Sequence, residues 1–137
     1  MARRNRNQMI YKRLAKLIDF DLLKEKNELK YLGGAFMDLI VQWYYQPEGE
    51  RYFVITLGHY YEQNGDLVPD PRMDVRIYSD MEWAEPESFE DYRGYQRVYF
   101  KNSDGQDCYY PRLKRSLTDF LDMWVKNIEH QGHKLQK

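Results

Sequence analysis

Cysteine is almost missing from this chain: Cys108 is the only one in 137 residues. A lone thiol excludes an internal disulfide framework, so a cytoplasmic protein is expected. No apolar run approaches the roughly 20 residues that a membrane span requires. The N-terminal MARRNRNQ also lacks the apolar core of a secretory signal, and no membrane contact is expected. Histidine is limited to His59, His130 and His133. Motifs are missing as well. There is no P-loop, no G-x-G-x-x-G, no G-x-S-x-G and no H-E-x-x-H, so no cofactor is implied. Excess charge of one sign is lacking too: 21 Lys and Arg face 22 Asp and Glu, for a net charge of -1. A dedicated nucleic-acid binder would more often be basic overall. The length fits one domain covering 1–137.

Aromatic residues are abundant. Thirteen Tyr, six Phe and three Trp make up 16% of the chain, and most fall in segments that read as strands. Tyrosine combines an apolar ring with a polar tip, which suits a sheet face bordering water or a partner. Charge is segregated along the chain. Residues 1–16 carry Arg3, Arg4, Arg6, Lys12, Arg13 and Lys16 and no acid, whereas 80–91 carry six acids and no base.

Periodicity predicts a helix over 6–18, with Ile10, Leu14, Leu17 and Ile18 on one stripe. Residues 1–7 ahead of that stripe read as a flexible basic arm, since they have nothing apolar to bury. A short turn over 19–23 follows. Alternation predicts a strand over 35–46 with Met37, Leu39, Val41, Trp43 and Tyr45 on one face. A turn at 47–50 returns the chain as a strand over 51–61. Residues 62–71 read as a loop and 72–79 as a strand. The acidic stretch to Tyr92 reads as loop beyond a brief pairing at 82–84. Strands over 94–101 and 106–110 flank the turn Asn102–Gly105. A last helix begins at Ser116 as N-cap, carries Leu117, Phe120, Leu121, Trp124, Val125 and Ile128, and ends at Gly132. The sum is an α+β domain: an antiparallel meander of four to six strands, flanked by an N-terminal and a C-terminal helix on one face.

Within this pattern Val75-Arg76-Ile77-Tyr78-Ser79-Asp80 precedes Ala84-Glu85, then Tyr110-Pro111, then Asp119-Phe120-Leu121 and Trp124. That series over 73–128 resembles the YqiB-like family of small bacterial proteins. The block Tyr60–Leu67 with Asp70-Pro71 is similar to small uncharacterised domains of phages and conjugative elements. The first resemblance implies a small bacterial protein and the second an origin on mobile DNA, and neither carries an activity over to this chain.

Three functional readings follow. In the first, the chain is a non-enzymatic protein-binding module. Its contact surface would be an aromatic sheet face or the loop 62–71 with the aromatics beside it: Tyr60, Tyr61, Glu62, Asn64, Asp66 and Asp70. Asn64-Gly65 sets a tight turn and Pro69 and Pro71 stiffen the exit, so the loop would be preorganised. In the second, Arg3, Arg4, Arg6, Lys12 and Arg13 hold nucleic-acid phosphates. In the third, the carboxylates of Glu62, Asp66 and Asp70 serve a metal-dependent hydrolase, although their spacing is not that of an EF-hand. The acids Glu82, Glu85, Glu87, Glu90 and Asp91 offer carboxylate pairs for proton transfer, but no nucleophile accompanies them in sequence. Cys108 reads as a structural thiol, and His130 and His133 read as a solvated helix end.

Overall fold

The computed structural model describes residues 5–137. Two helices open the chain. Helix α1 (Arg6–Leu17) is capped by Asn5, whose side chain accepts the Gln8 amide at 3.0 Å. Helix α2 (Phe20–Lys26) is capped by Asp19 through the Leu22 amide and ends at Asn27 in the left-handed region. Capping side chains satisfy amides that a helix start leaves orphaned.

Seven strands then build one antiparallel sheet: β1 (Glu28–Leu32), β2 (Leu39–Tyr45), β3 (Phe53–Gln63), β4 (Asp66–Tyr78), β5 (Trp83–Asp91), β6 (Gly94–Arg97) and the terminal β9 (Lys134–Leu135). Their spatial order is β6-β5-β4-β3-β2-β1-β9. A separate hairpin of β7 (Tyr99–Lys101) and β8 (Asp107–Tyr109) lies outside that sheet. Helix α3 (Pro111–Gln131) follows directly. The α+β class and the antiparallel meander therefore hold, but the strand number exceeds the expected four to six.

The added strands have physical reasons. In β1, Leu29 and Tyr31 are buried while Glu28, Lys30 and Leu32 are exposed, a five-residue alternation too short to stand out in sequence. Strand β5 is the acidic stretch that reads as loop. Ala84 and Pro86 turn inward while Glu85 and Glu87 turn to the other face, and all four are buried. The expected loop 62–71 is also strand. Residues 60–63 pair with 66–69 in the β3–β4 hairpin, and Asn64 and Gly65 form its two-residue turn with φ of 53° and 86°. Positive φ at both central positions matches the twist of a hairpin and explains the Asn-Gly pair.

The core lies on one face of the sheet. Leu39, Val41, Ile55, Leu57, Met73, Val75 and Ile77 meet Ile10 and Leu14 of α1 and Leu117, Leu121, Trp124, Val125 and Ile128 of α3. Each fully buried aliphatic side chain here contributes about 1.5–3 kcal/mol of hydrophobic transfer. Helix α3 starts five residues before the expected Ser116 cap, with Pro111 in its first turn. Proline suits that position because its missing N–H would be an orphan anyway. Gly132 ends the helix at φ 73°, as its sequence position indicates.

Part of the segment expected to be a flexible basic arm is structured. Arg3 and Arg4 lie outside the described residues, but Asn5, Arg6 and Asn7 are engaged. Asn5 caps α1, Arg6 pairs with Asp119 and Asp122 of α3, and Asn7 donates to the Ala84 carbonyl at 2.9 Å. No described helix is long and apolar enough to cross a membrane.

Candidate functional site

The face of the sheet turned away from the helices carries a charged and aromatic network. Strands β4 and β5 set it up by register. Asp74 stands opposite Ser88 and Val75 opposite Pro86, so Glu87 is the extra residue of a β-bulge. The Glu87 carbonyl accepts the Val98 amide, which pins the start of the β7–β8 hairpin over this face. Arg76, opposite Glu85, sends its guanidinium between two rings, 4.3 Å from the Tyr52 centroid and 3.7 Å from that of Tyr99. Its Nε donates to Glu87 at 3.0 Å, and the Tyr45 hydroxyl reaches the same carboxylate at 3.2 Å. Glu85 is held by Lys114 of α3 at 2.8 Å and by the Tyr99 hydroxyl. Lys114 lies 4.6 Å from the Tyr109 ring. Deeper on the same face, Thr56 and Ser88 both donate to buried Asp74, at 2.8 and 2.9 Å.

Tyr45 reaches this network because of a second irregularity. The β2–β3 register slips between Trp43 and Tyr45, which turns Tyr45 to the face opposite Val41 and Leu39. The expected common face from Met37 to Tyr45 is thus broken at both ends, since Met37 lies exposed ahead of the strand.

Above the network lies an open cleft of about 670 Å³. Its wall and floor include Tyr45, Tyr52, Arg76, Tyr78, Tyr99 and Tyr109. The 46–52 connection forms one lip with Glu48 and Glu50, and Arg97, Phe100 and Lys101 line the other side. Burial, reinforced by the Glu87 carboxylate, pushes the Tyr45 hydroxyl up to about 12. Burial and then the bond to Glu85 push Tyr99 up, and burial raises Tyr52 and Tyr78 as well. These hydroxyls therefore stay protonated at neutral pH and serve as donors. Burial works against the Arg76 charge, but hydrogen bonds to Glu87 and Tyr78 outweigh it and hold the guanidinium protonated.

The acids that build this site were visible only as an acidic run. The usable signal was the alternation of Ala84 and Pro86 with Glu85 and Glu87, which marks a strand with one apolar face. Nothing local singles out Arg76, Tyr45, Tyr99 or Lys114.

The candidate residues of the β3–β4 hairpin and of the basic segment sit elsewhere, and none of those described lines the cleft. Tyr60 and Tyr61 pair with Pro69 and Val68 in the hairpin. The Tyr60 ring covers Gly58, where an added Cβ would come within 2.6 Å of the ring, so this tyrosine fills a gap in the sheet. Glu62, Asn64, Asp66 and Asp70 are exposed near the hairpin tip. Among the described residues no three His, Cys, Asp or Glu side chains group as metal ligands. In the basic segment, Arg13 pairs with Glu129 at 2.8 Å, Arg6 pairs as described above, and Lys12 is half-buried. Cys108 is half-buried on β8 and borders the cleft.

His133 is not solvated as expected but buried, with Nε2 2.8 Å from the Met37 carbonyl. Beside it, His59 donates from Nδ1 to the Asp38 carbonyl at 2.9 Å and accepts the Trp124 indole N–H on Nε2 at 2.8 Å. Indole nitrogen can only donate, so the His59 ring is neutral here. Burial lowers its pKa in agreement.

Residues 9–134 match the family described as a domain of unknown function, DUF6908. No curated protein and no solved structure matches the chain. The match does not link the chain to the YqiB-like family or to the mobile-element block.

Proposed function

We propose that this chain, which belongs to the DUF6908 family, is a small non-enzymatic binding protein whose tyrosine-lined cleft receives a segment of another polypeptide. The observation that carries this reading is the state of the carboxylates beneath the cleft. Glu85 and Glu87 each already hold one cation and one tyrosine hydroxyl. A general acid or base must be free to exchange a proton with a substrate. These two are committed instead to fixing Arg76, Lys114 and the rings around them. The product is a stiff aromatic surface open to solvent. Tyrosine supplies large contact area with few torsions to freeze, which favours polypeptide recognition.

Charge favours a polypeptide over a nucleic acid. Arg76 is cancelled by Glu87 and Lys101 by Asp107, at 3.0 Å each. Of the remaining charges that line the cleft, Glu48 and Glu50 outnumber Arg97, so a phosphate backbone would meet more acid than base. On the helix side, Arg6 and Arg13 are occupied by acids of α3. The single cysteine supports placing the protein in the cytoplasm. The likeness of residues 60–73 to domains of phages and conjugative elements supports seeking the partner among proteins encoded on mobile DNA.

A photo-crosslinking residue in place of Tyr109 at the cleft rim tests the reading, with one in place of Leu67 at the hairpin tip as comparison. Both positions are exposed. Crosslinking in the host should give a discrete protein adduct from position 109. Adducts from position 67 alone, or nucleic acid trapped at position 109, would overturn it.

A further inference from the structure

Resting on the polypeptide-binding reading, we infer that the segment entering the cleft presents a lysine or arginine side chain to the lip formed by Glu48 and Glu50. The protein already holds two of its own cations here in one manner, each against ring faces and one carboxylate. Arg76 lies between Tyr52 and Tyr99 and bonds Glu87. Lys114 lies over Tyr109 and bonds Glu85. Ring faces carry negative charge density, so a cation over a ring with a carboxylate beside it is attracted twice.

The lip offers the carboxylates of that arrangement without the cation, beside a Tyr52 ring that already carries Arg76. Glu48 and Glu50 are exposed, line the cleft, and lie within ion-pair distance of no cation among the described residues. They adjoin the wall that holds Tyr45 and Tyr52, and the Glu50 charge reaches the Tyr52 hydroxyl. Across the cleft, Phe100 and Tyr109 expose rings of their own. An acidic side chain at this lip would face two uncompensated carboxylates, and an apolar one would leave both without a partner. Arg97, on the edge strand β6 with two strands between it and β3, sets a direction: the basic residue belongs at the Glu48 and Glu50 lip and is disfavoured beside Arg97.

The test selects a displayed library of random dodecapeptides on the full chain. Selected peptides should share a lysine or arginine at one position. Their affinity should fall about tenfold in the Glu48→Gln, Glu50→Gln double variant and weaken with salt, since the lip is exposed. The Glu48→Lys, Glu50→Lys variant should select an acidic residue at that position instead. Both variants lie on an exposed connection and should keep the wild-type melting temperature. Peptides without a basic preference that still need Tyr109 and Phe100 would overturn this inference and leave the cleft reading standing. Peptides indifferent to Tyr109→Ala and Phe100→Ala, or no selected peptide at all, would overturn both.

Discussion

The two faces of the sheet bury their residues by opposite means. Along β4, Met73, Val75 and Ile77 point to the helices and sit in a fully apolar core, while Asp74 and Arg76 point the other way into a network of charges and tyrosines. The helix side is stabilised by area removed from water and tolerates changes that keep volume. The cleft side depends on partners, because a buried charge left alone costs several kcal/mol. The same alternation thus yields one face that is forgiving and one where each polar group is tied to another.

The largest effect is expected from breaking that dependence. Glu87→Ala leaves the Arg76 guanidinium without its carboxylate, and should destabilise by about 3–5 kcal/mol. The paired change Arg76→Met with Glu87→Leu should recover most of that loss. A single change costing no more than the double one, in urea denaturation, would show that the pair is not coupled. On the helix side, Leu121→Ala should cost about 2–5 kcal/mol, while Leu121→Met should cost under about 1.5 kcal/mol. Equal losses for both substitutions would break the contrast between the faces.

The His59 cluster sharpens the comparison, because it brings a titratable group to the α3 side. A folded pKa below the ordinary value near 6.5 means that the unfolded chain binds the proton more readily. The stabilisation is complete above about pH 6.5 and is lost as pH falls toward the lowered folded value. Denaturation midpoints from about pH 7.5 to 5 should therefore fall more steeply for the wild type than for His59→Gln, with Trp124 emission reporting the same step. Parallel slopes for the two proteins would remove His59 from the account.

The smallest effects belong to exposed charges. Arg13→Ala should cost under about 1 kcal/mol, as a pair bordering solvent does. Asp66→Ala with Asp70→Ala should shift the melting temperature hardly at all, and should leave capture through position 109 intact. Loss of that capture with an unchanged melting temperature would return the recognition surface to the hairpin tip.

Much of the fold was legible because its signals are local. The α3 stripe, the Gly132 stop and the hairpin turn at Asn102–Gly105 can each be read within a few residues. Charge misled twice, in the same way. The acids of 80–91 read as loop, and Arg6 read as part of a flexible arm. Glu85 and Glu87 are instead buried against Lys114 and Arg76, and Arg6 and Arg13 clasp α3. The cleft escaped notice because its tyrosines come from four strands and the 46–52 connection, and the two cations of the network beneath it from a strand and a helix.

By itself the sequence determined the α+β class, the α1 helix, the Gly132 stop of α3 and the tight turns, since each follows from backbone preference and side-chain spacing over one or two turns of chain. Tertiary structure alone decided which charges would be buried and which rings would meet. Trp124 finds His59 from 65 positions away, Arg13 finds Glu129 from 116, and Tyr45 finds Glu87 from 42. A buried charge is tolerable only where such a partner arrives, and register slips at Glu87 and after Trp43 deliver those partners. A bulge has no signature in the period-two pattern except its interruption, so the site it builds is visible only once the strands are paired.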